Sequence, residues 1–339
     1  MAKKINLGII GLGFIGKVHL RNCLSLKSAN VVAVADVSKK ALKYARELGV
    51  KRLFTDYHEL LKQPDIDAVV ISLPTYLHAP CAIGAAEEGK HIFLEKPLAR
   101  NPEEGKKIIS ATRKHNVKLM IGYPLRYLID IINLKKRIED GELGDIQTAY
   151  AVNIGVGPFT HRAEGTIPSP VPEWWMNKES TGGGALLDLG SHMVNLLRWY
   201  LGEIRDIKVF IGYRYNLDVE DYAISIVNFI SGTTATIDVG WFSQETAISI
   251  ELHGTVGHAS VVHRSQNRAI TAIKLILGKT SKFFKPYLEE LSHFVDCIKR
   301  DDDPLTSGDD ALRDLEIIAR AYNNSLILTN QNDYSPISS

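Results

Sequence analysis

The sequence predicts an α/β protein of two domains, in which a parallel, doubly wound sheet is followed by a mostly antiparallel one. Two observations support this prediction. Over the first third of the chain, short apolar and often β-branched runs alternate with helical segments, which is typical of parallel strands covered by helices on both faces. From about residue 207 the strands become longer and alternate apolar with polar residues, which is typical of antiparallel strands with one more polar face. We therefore predict a first domain at residues 1–123 and a second at 124–339.

The individual elements follow in order from this patterning. The parallel strands are predicted at residues 5–10, 31–36, 67–72, 91–95 and 118–122. After a helix at about 124–140, the second set of strands is predicted at 207–215, 222–230, 233–242 and 247–254. Two helices close the chain, at about 286–299 and 308–325. Ser307 or Asp309 would cap the last helix, since both residue types are good N-caps. The proline-rich stretch 157–181 shows no regular pattern, and loops of this length are usually functional or disordered.

The composition argues against several classes of protein. A net charge of +1 over 339 residues provides no long-range field to attract a nucleic acid. No run approaches the roughly 18 apolar residues that a membrane span requires, and the apolar stretch near the N-terminus is too short and glycine-rich for a signal peptide. Cys23, Cys81 and Cys297 are odd in number and lack metal-binding spacing, which suits a reducing compartment. We expect a cytoplasmic protein that binds neither nucleic acid nor membranes and holds no metal ion.

The most specific local feature is a glycine motif after the first strand. Gly11, Gly13 and Gly16 have the GxGxxG spacing, in which the glycines make a tight turn, admit a pyrophosphate and let the next helix pack closely. Asp36 ends the second strand twenty residues beyond Gly16, where an acid binds the ribose hydroxyls of NAD and would repel the 2′-phosphate of NADP. NAD is therefore the expected cofactor and NADP the less favoured one, although a structural turn beside a solvated acid would explain the same residues. The expected contacts here are Gly11, Gly13, Phe14, Ile15, Gly16, Asp36 and Val37.

Two further loops follow parallel strands, at the edge where such sheets bind ligands. They are SLPTYLHAP at 72–80 and FLEKPLA at 93–99. The residues expected to border the cofactor here are Ser72, Pro74, Thr75, His78, Glu95 and Lys96. A lysine directly after a buried strand could polarise a substrate oxygen or exchange a proton, but lysines in loops are also ordinary surface residues. His78 would equally suit the start of a helix.

A polar stripe interrupts the apolar stretch TGGGALLDLGSHMVN, residues 181–195. On a helix, one face would carry Asp188, His192, Asn195 and Trp199. The carboxylate could orient the imidazole as an acid or base, since histidine titrates near neutrality. The alternatives are a buried hydrogen-bond network and a metal site, for which one histidine and one aspartate are too few ligands.

Three motifs taken together carry a family resemblance. They are the glycine motif at 11–16, EKP at 95–97 and GGGALLDLGSH at 182–192. In this order and at these separations they resemble the Gfo/Idh/MocA family, named after glucose–fructose oxidoreductase and inositol dehydrogenase, over nearly the whole chain. The resemblance implies an N-terminal Rossmann domain and a C-terminal α+β domain with a large open, mostly antiparallel sheet. It also implies NAD(P)-linked oxidation of a sugar or cyclitol hydroxyl, and homodimers or homotetramers that assemble through that sheet.

The resemblance also implies roles for individual residues. Lys96, Asp188 and His192 fall on the family's catalytic positions. The implied substrate-binding residues are Lys96, Arg126, Trp175, Asp188 and His192. His192 would remove the hydroxyl proton while Lys96 stabilises the alkoxide, or Lys96 would itself be the base. The paired tryptophans at 174–175 would form a platform for the sugar face or would simply pack. Asn195 stands where members often carry an aspartate, which weakens a substrate contact at that position.

The sequence is also compatible with other functions. A nucleotide-sugar 3-dehydrogenase, for example one acting on a UDP-sugar, would need groups for the diphosphate, which Arg162, Lys178 and the tryptophans could provide. An NADPH-dependent sugar reductase is a second alternative within the enzymes. A non-catalytic NAD-binding sensor on the same fold would lack one or more of the three catalytic residues, and all three are present.

Overall fold

The computed structural model describes residues 4–162, 165–168, 172–265 and 285–328. The chain divides into two compact units, each built on its own large sheet. Unit 1 comprises Met1–Leu128 and Thr271–Arg313, and unit 2 comprises Ile129–Ile270 and Asp314–Ser339. The chain thus returns to unit 1 near its C-terminus, a feature that the predicted division at residue 123 does not contain.

Unit 1 is built on a parallel sheet of six strands with helices between them. Its elements up to residue 122 are β1 (Ile5–Ile10), α1 (Phe14–Ser25), β2 (Ala29–Ala35), α2 (Lys39–Glu47), β3 (Arg52–Phe54), α3 (Tyr57–Leu61), β4 (Ala68–Ile71), α4 (His78–Glu87), β5 (His91–Glu95), α5 (Pro102–Lys114) and β6 (Leu119–Gly122). The spatial order β3-β2-β1-β4-β5-β6 reverses direction between β1 and β4. This is a doubly wound sheet, and the crevice at the reversal is where such sheets bind ligands.

The rest of the chain supplies mainly the second sheet. Its elements are α6 (Ile129–Glu139), β7 (Ile146–Ile154), β8 (Phe159–Arg162), β9 (Gly165–Pro168), α7 (Lys178–Thr181), α8 (Ser191–Leu201), β10 (Ile204–Gly212), β11 (Tyr222–Phe229), β12 (Thr234–Gly240), β13 (Thr246–Gly254), β14 (His258–Ser265), α9 (Lys285–Arg300), α10 (Gly308–Asn323) and β15 (Leu326–Ile327). Seven strands form the sheet, in the order β14-β13-β7-β12-β11-β10-β15. Neighbours are antiparallel except for the β12–β7 and β10–β15 pairs. The predicted fold class, a doubly wound sheet followed by a mostly antiparallel one, is confirmed.

Burial in the two sheets follows the residue patterns that predicted them. In β1, Leu7 and Ile9 are fully buried, as expected for a strand covered on both faces. In β11 the side chains alternate, with Val227 fully buried and Ile226 43% exposed, so that one face of this sheet is covered and the other is open. The helix α9 adds Phe294 to the core of unit 1, which explains why this late segment belongs to that unit.

Two local predictions differ from the structure. The helix predicted at 124–140 is split, because Leu128 adopts an extended backbone between a single 3₁₀ turn at Pro124–Tyr127 and the start of α6. The stretch 157–181 is not wholly irregular, since it contains the β8–β9 hairpin and α7, although residues 163–164 and 169–171 lie outside the described part. Ser307 is confirmed as the cap of α10, because its Oγ accepts a hydrogen bond from the amide of Asp310. Among the described helices, none combines the length and apolar character that a membrane crossing requires.

Candidate active site

The glycine loop between β1 and α1 has the shape of a phosphate-binding turn. Gly11 has a φ of +88°, which a residue with a side chain rarely adopts, and an added Cβ would overlap the carbonyl oxygen of Ser72. An added Cβ at Gly16 would likewise overlap the carbonyl of Gly11, so close packing fixes both positions. At Gly13, in contrast, nothing lies within 4 Å of the Cβ position. Gly13 caps α1 without a side chain, so this open space adjoins the first-turn amides of a long helix, as an anionic pyrophosphate requires.

Asp36 connects this loop to the end of β2. Its Oδ2 accepts a hydrogen bond from the amide of Leu12 at 2.6 Å, and its Oδ1 accepts one from the amide of Ser38 at 2.7 Å. Ser38 in turn caps α2, because its Oγ accepts a hydrogen bond from the amide of Ala41. Val37 is 88% exposed at this edge. The carboxylate is therefore fixed beside the glycine loop, where the sequence predicted an acid for the ribose hydroxyls.

His78 joins the loops that follow β4 and β5. Its ring is buried, with Nδ1 2.8 Å from the carbonyl oxygen of Pro97 and Nε2 2.9 Å from that of Leu73. Burial lowers the pKa of His78, so the neutral ring donates to one carbonyl at a time. Ser72 and Thr75, also predicted to border the cofactor, are buried in the same loop. His78 thus shapes this part of the site with its side chain already engaged by the protein.

Glu95 is the last residue of β5, and Lys96 follows it directly. The Oε1 of Glu95 lies 2.6 Å from Nε2 of His19, a fully buried residue of α1. The Oε2 of Glu95 accepts a hydrogen bond from the backbone amide of Lys96 at 3.2 Å. Glu95 is itself 7% exposed, whereas Lys96 is partly exposed. The glutamate of the EKP motif is therefore a buried structural group, and the lysine is the accessible one.

Asp188 and His192 lie on two different kinds of helix. A π-helical turn at Leu186–Gly190 precedes α8, and Asp188 is part of that turn while His192 is the second residue of α8. Both side chains are partly exposed. The Oδ2 of Asp188 accepts a hydrogen bond from Nε1 of Trp241 at 3.1 Å, and Trp241 is fully buried directly after β12. Single-turn π-helical segments inside helices are frequent at functional sites.

The three glycines before this turn are required by a left-handed backbone at Gly182 and by close packing at Gly183 and Gly184. Gly182 ends α7 with a φ of +88°. An added Cβ at Gly183 would overlap the hydroxyl of Tyr322, and one at Gly184 would overlap the backbone carbonyl of Glu220. The buried carboxylate of Glu220 accepts hydrogen bonds from the amides of Gly184 and Leu186, at 3.1 and 2.9 Å, and from the Tyr322 hydroxyl at 2.7 Å. Burial raises the pKa of Glu220, while these donors oppose that rise.

Asn195 belongs to a buried network. Its Nδ2 donates to Oδ2 of Asp314 at 2.6 Å, and Nη1 of Arg198 donates to Oδ1 of the same carboxylate, also at 2.6 Å. Asn195 is fully buried, so the polar stripe predicted on one helix face is not equally exposed along its length. The amide supplies a hydrogen-bond donor to Asp314, which a second carboxylate could do only when protonated. This explains the asparagine at that position.

Arg126 and Trp175 have different surroundings. Arg126 is 3% exposed, and its Nη2 donates to Oδ2 of Asp310 at 2.8 Å, so its charge is engaged within unit 1. Trp175 is partly exposed, and its ring meets that of Trp241 edge to face with the centroids 6.4 Å apart. Trp241 therefore contacts Trp175 with its ring and Asp188 with its indole N–H. Trp175 and the Asp188 turn thus belong to one cluster in unit 2.

The structure brings the predicted residues together in two groups. In unit 1, the glycine loop, Asp36, His78 and Lys96 all follow the carboxyl ends of neighbouring strands. In unit 2, Asp188 and His192 lie one helical turn apart at the start of α8. Sequence reasoning missed three buried partners, which are His19, Glu220 and Trp241. The position of His19, three residues after the last glycine of the motif on the helix face that packs on the sheet, was a usable signal.

Comparison with known proteins agrees with this architecture. A family model described as "Oxidoreductase family, NAD-binding Rossmann fold" matches residues 5–123, and one described as "GFO/IDH/MocA C-terminal domain" matches residues 131–260. A scyllo-inositol dehydrogenase from Lactobacillus casei, solved with NAD(H) and scyllo-inositol, has the same fold. Its TM-score is 0.80 at 23% sequence identity, over 95% of this chain and 97% of that one.

Two curated relatives match nearly the whole chain. A myo-inositol 2-dehydrogenase from Thermotoga maritima is 28% identical over 326 residues, which is 90% of this chain and 92% of the relative. A scyllo-inositol 2-dehydrogenase (NAD⁺) from Bacillus subtilis is 31% identical over 338 residues, or 95% and 94% of the two chains. The two family models and the two relatives together cover both units, and all of them describe oxidoreductases of the same family. The chain therefore belongs to the Gfo/Idh/MocA family of NAD-binding oxidoreductases.

Proposed function

We propose that this protein is an NAD-dependent dehydrogenase that oxidises a secondary hydroxyl of a cyclitol or sugar, with an inositol as the first candidate. The observation that carries the proposal is the position of Asp188, which accepts a hydrogen bond from Trp241, one turn before the partly exposed His192. Relatives named inositol 2-dehydrogenases support the substrate class, because they match 90% and 95% of the chain. A ring with several hydroxyls suits a site with both acid–base groups and an indole surface.

The proposed cofactor contacts are those with the chemistry that NAD needs. The open space at Gly13 and the amides of the first turn of α1 would take the pyrophosphate, with Phe14 and Ile15 beside it. Asp36 would accept hydrogen bonds from ribose hydroxyls, next to Val37. Ser72, Pro74, Thr75, His78, Glu95 and Lys96 complete the proposed set. His78 and Glu95 would act by shaping the loops, since protein atoms already engage their side chains. The bound cofactor supplies the hydride acceptor of the reaction.

We assign the removal of the hydroxyl proton, and the stabilisation of the oxygen that it leaves, to Lys96, Asp188 and His192. His192, oriented by Asp188, takes the proton of the reacting hydroxyl as the C–H bond breaks. The ammonium group of Lys96 stabilises the negative charge that develops on that oxygen. In the alternative assignment Lys96 takes the proton and His192 stabilises the alkoxide.

The substrate contacts are assigned to partly exposed side chains. Trp175 offers part of its indole surface to the apolar face of a sugar or cyclitol ring. Arg126 is less suited to a substrate, because it is buried and its charge is engaged by Asp310. Lys96, Asp188 and His192 would bind the reacting hydroxyl and its neighbours.

We also propose a cytoplasmic homodimer or homotetramer. Cys23, Cys81 and Cys297 are all buried free thiols, which suits a reducing compartment. The open face of the seven-stranded sheet exposes apolar side chains, including Ile224 and Ile226, and would be the surface through which the copies associate.

The proposed activity is tested with a substrate panel and one substitution. Myo-inositol, scyllo-inositol, free hexoses, levoglucosan and UDP-sugars are each mixed with NAD⁺, and reduction is followed by absorbance. We expect turnover with a cyclitol, and we expect His192→Asn to lower kcat on it about 100- to 10,000-fold, the usual contribution of a general base. The affinity for NAD⁺ should stay within about threefold of the wild type, because His192 and the glycine loop lie in different units.

The matched control is His258→Asn, which changes an exposed histidine of the same unit. It should leave both kcat and NAD⁺ affinity unchanged. A His192→Asn variant that keeps turnover within a few-fold would remove the histidine from the proposed mechanism. Turnover of UDP-sugars alone would replace the cyclitol by a nucleotide sugar as the substrate.

A further inference from the structure

A buried polar cluster lies beneath the proposed catalytic lysine in unit 1. His19 of α1, Glu95 at the end of β5 and Glu290 of α9 come together there, with one side-chain N or O atom of each within 4.8 Å of the others. His19 and Glu290 are fully buried, and Glu95 is 7% exposed. Buried charged groups are costly unless they are paired, so the arrangement needs a physical reason.

The two carboxyl groups of this cluster have different partners. Glu95 uses one oxygen for Nε2 of His19 and the other for the backbone amide of Lys96. Neither oxygen of Glu290 has a hydrogen-bond partner among the described residues. Burial, and the nearby Glu95, raise the pKa of Glu290 well above its ordinary value. Burial thus disfavours a charge on Glu290, and Glu95 is the residue whose hydrogen bonds hold other groups in place.

The hydrogen bonds of Glu95 connect two parts of the proposed site. His19 is on α1, the helix that begins at the glycine loop, whereas Lys96 is the residue directly after β5. One carboxylate thus links the cofactor helix to the backbone of the lysine. On the other side of Lys96, the carbonyl of Pro97 lies 2.8 Å from the ring of His78. The backbone around Lys96 is held from both directions.

We propose that Glu95, held by His19, is a positioning residue that fixes the backbone of Lys96 relative to the helix that begins at the cofactor loop. This inference rests on the catalytic role of Lys96 in the proposed function. Its physical basis is that a displacement of about 1 Å in a reacting group can cost about 100-fold in rate. The ammonium group of a long, flexible lysine side chain is only as well placed as the backbone from which it extends.

The test is a double-mutant cycle between Glu95 and Lys96, with turnover of the best substrate of the panel as the readout. Glu95→Ala removes both hydrogen bonds and should lower kcat about 10- to 100-fold, whereas the isosteric Glu95→Gln keeps an acceptor for the Lys96 amide and should stay within about fivefold. In a Lys96→Met background, Glu95→Ala should cost less than about threefold further, because the group that it positions is absent. A structural role would instead make the two losses multiply.

The matched control is Glu290→Gln, which changes the same buried cluster at the residue without a hydrogen bond to Lys96. It should keep kcat within about threefold of the wild type. Thermal unfolding is recorded for every variant, and kinetics are measured well below the lowest midpoint. A comparable loss in Glu290→Gln would overturn the proposal, because general disturbance of the cluster would then explain the effect.

Hydrogen–deuterium exchange at single-residue resolution tests the bond without any turnover. The amide of Lys96 should exchange at least about tenfold faster in Glu95→Ala and stay protected in Glu95→Gln. Unchanged exchange of the Lys96 amide in Glu95→Ala would refute the positioning bond. A second result would also refute it: one equivalent of tightly bound metal in the wild type that is lost in Glu290→Gln, since Glu95 would then be a metal ligand. If Lys96→Met turns over normally, the proposed role of the lysine fails and this inference fails with it. If Lys96→Met is impaired and the losses multiply, only the inference fails.

Discussion

Asp36 carries a structural and a proposed recognition role on one carboxylate. Its two oxygens already accept hydrogen bonds from the amides of Leu12 and Ser38. A carboxylate has about four lone-pair sites, so about two remain for the hydroxyls of a ribose. The same negative charge would lie against a 2′-phosphate, and charge repulsion at short range is expensive where water is partly excluded. The choice between NAD and NADP should therefore depend on the charge of this single residue.

Asp36→Asn tests that dependence, because it removes the charge and keeps an amide oxygen that can accept one of the two backbone hydrogen bonds. We expect kcat/KM to fall about tenfold with NAD⁺ and to rise about tenfold with NADP⁺, as the loss of one ribose contact and of one repulsion predicts. Steady-state kinetics with both cofactors measure this. Asp56→Asn is the control, because Asp56 also accepts hydrogen bonds near a helix start in unit 1. An unchanged cofactor preference in Asp36→Asn would show that Asp36 is only a structural residue.

The residues of the candidate site differ in how far the sequence could predict them. The glycines and Asp36 were predictable, since each has a backbone or charge requirement that few residue types meet. Trp241 was not, because it reaches Asp188 across 53 residues of chain, through a contact that only the folded sheet creates. The role of Asn195 was not predictable either, for the same reason, since its partner Asp314 lies 119 residues away. Motif spacing reports local geometry, whereas long-range hydrogen bonds leave no periodic signal in one sequence.

At the scale of elements, the entry to α8 depends on how closely two segments approach. The chain from Gly182 to Leu186 runs against Glu220, whose carboxylate accepts hydrogen bonds from two of its amides. These hydrogen bonds supply acceptors for backbone N–H groups at the start of the helix, which have no acceptor within the helix itself. They also fix the π-helical turn that carries Asp188. Gly183 and Gly184 are therefore required by packing, and Gly182 is required by its left-handed backbone.

Gly184→Ala should accordingly disturb this entry. Its added Cβ would overlap the backbone carbonyl of Glu220, which cannot move aside as the end of a side chain can. We expect a loss of about 1–3 kcal/mol in stability, the usual cost of overpacking, and a lowered midpoint of thermal unfolding by calorimetry. Gly155→Ala is the control in the same unit, because the nearest atom to its Cβ position is 3.6 Å away. Equal midpoints for the two variants would argue against this account.

The elements themselves were predicted unevenly. The parallel strands other than β3 were predicted to within about two residues, because each is a short, mainly apolar run between helices. Of the six parallel strands, only β3 was not predicted, because its three half-buried residues are too few to show a pattern. β7 was missed because its buried positions carry small or polar residues, namely Ala149, Ala151 and Asn153, while Tyr150 is exposed. The π-helical turn was missed because it continues the apolar pattern of the helix that follows.

At the scale of the whole molecule, one face of the second sheet resembles an interface. Register places Ile226, Thr236 and Tyr150 side by side across three strands, and the next row contains Ile224 and Val152. Ile224, Ile226 and Tyr150 are each more than 40% exposed. Apart from the two-residue β15, the sheet has six strands of about eight residues, spaced about 4.8 Å apart. Its open face therefore has an area of roughly 700–800 Å², which is close to the area that each partner buries in a standard interface. A net charge of +1 adds little repulsion between copies.

The proposed oligomer therefore predicts the effect of one charged substitution on this face. In Ile226→Lys an ammonium group replaces a side chain near the middle of the sheet, and burying it unpaired should raise the dissociation constant about 100-fold, or about 2.7 kcal/mol. Sedimentation velocity over a range of concentrations should show the wild type as a dimer or tetramer and the variant as a smaller species. Val256→Lys is the control, because Val256 is 77% exposed in the turn between β13 and β14 and lies off this face. Its sedimentation should match that of the wild type. A wild type that sediments as a monomer at micromolar concentration, or an Ile226→Lys variant that stays fully associated, would mean that copies of this chain do not meet through the open sheet.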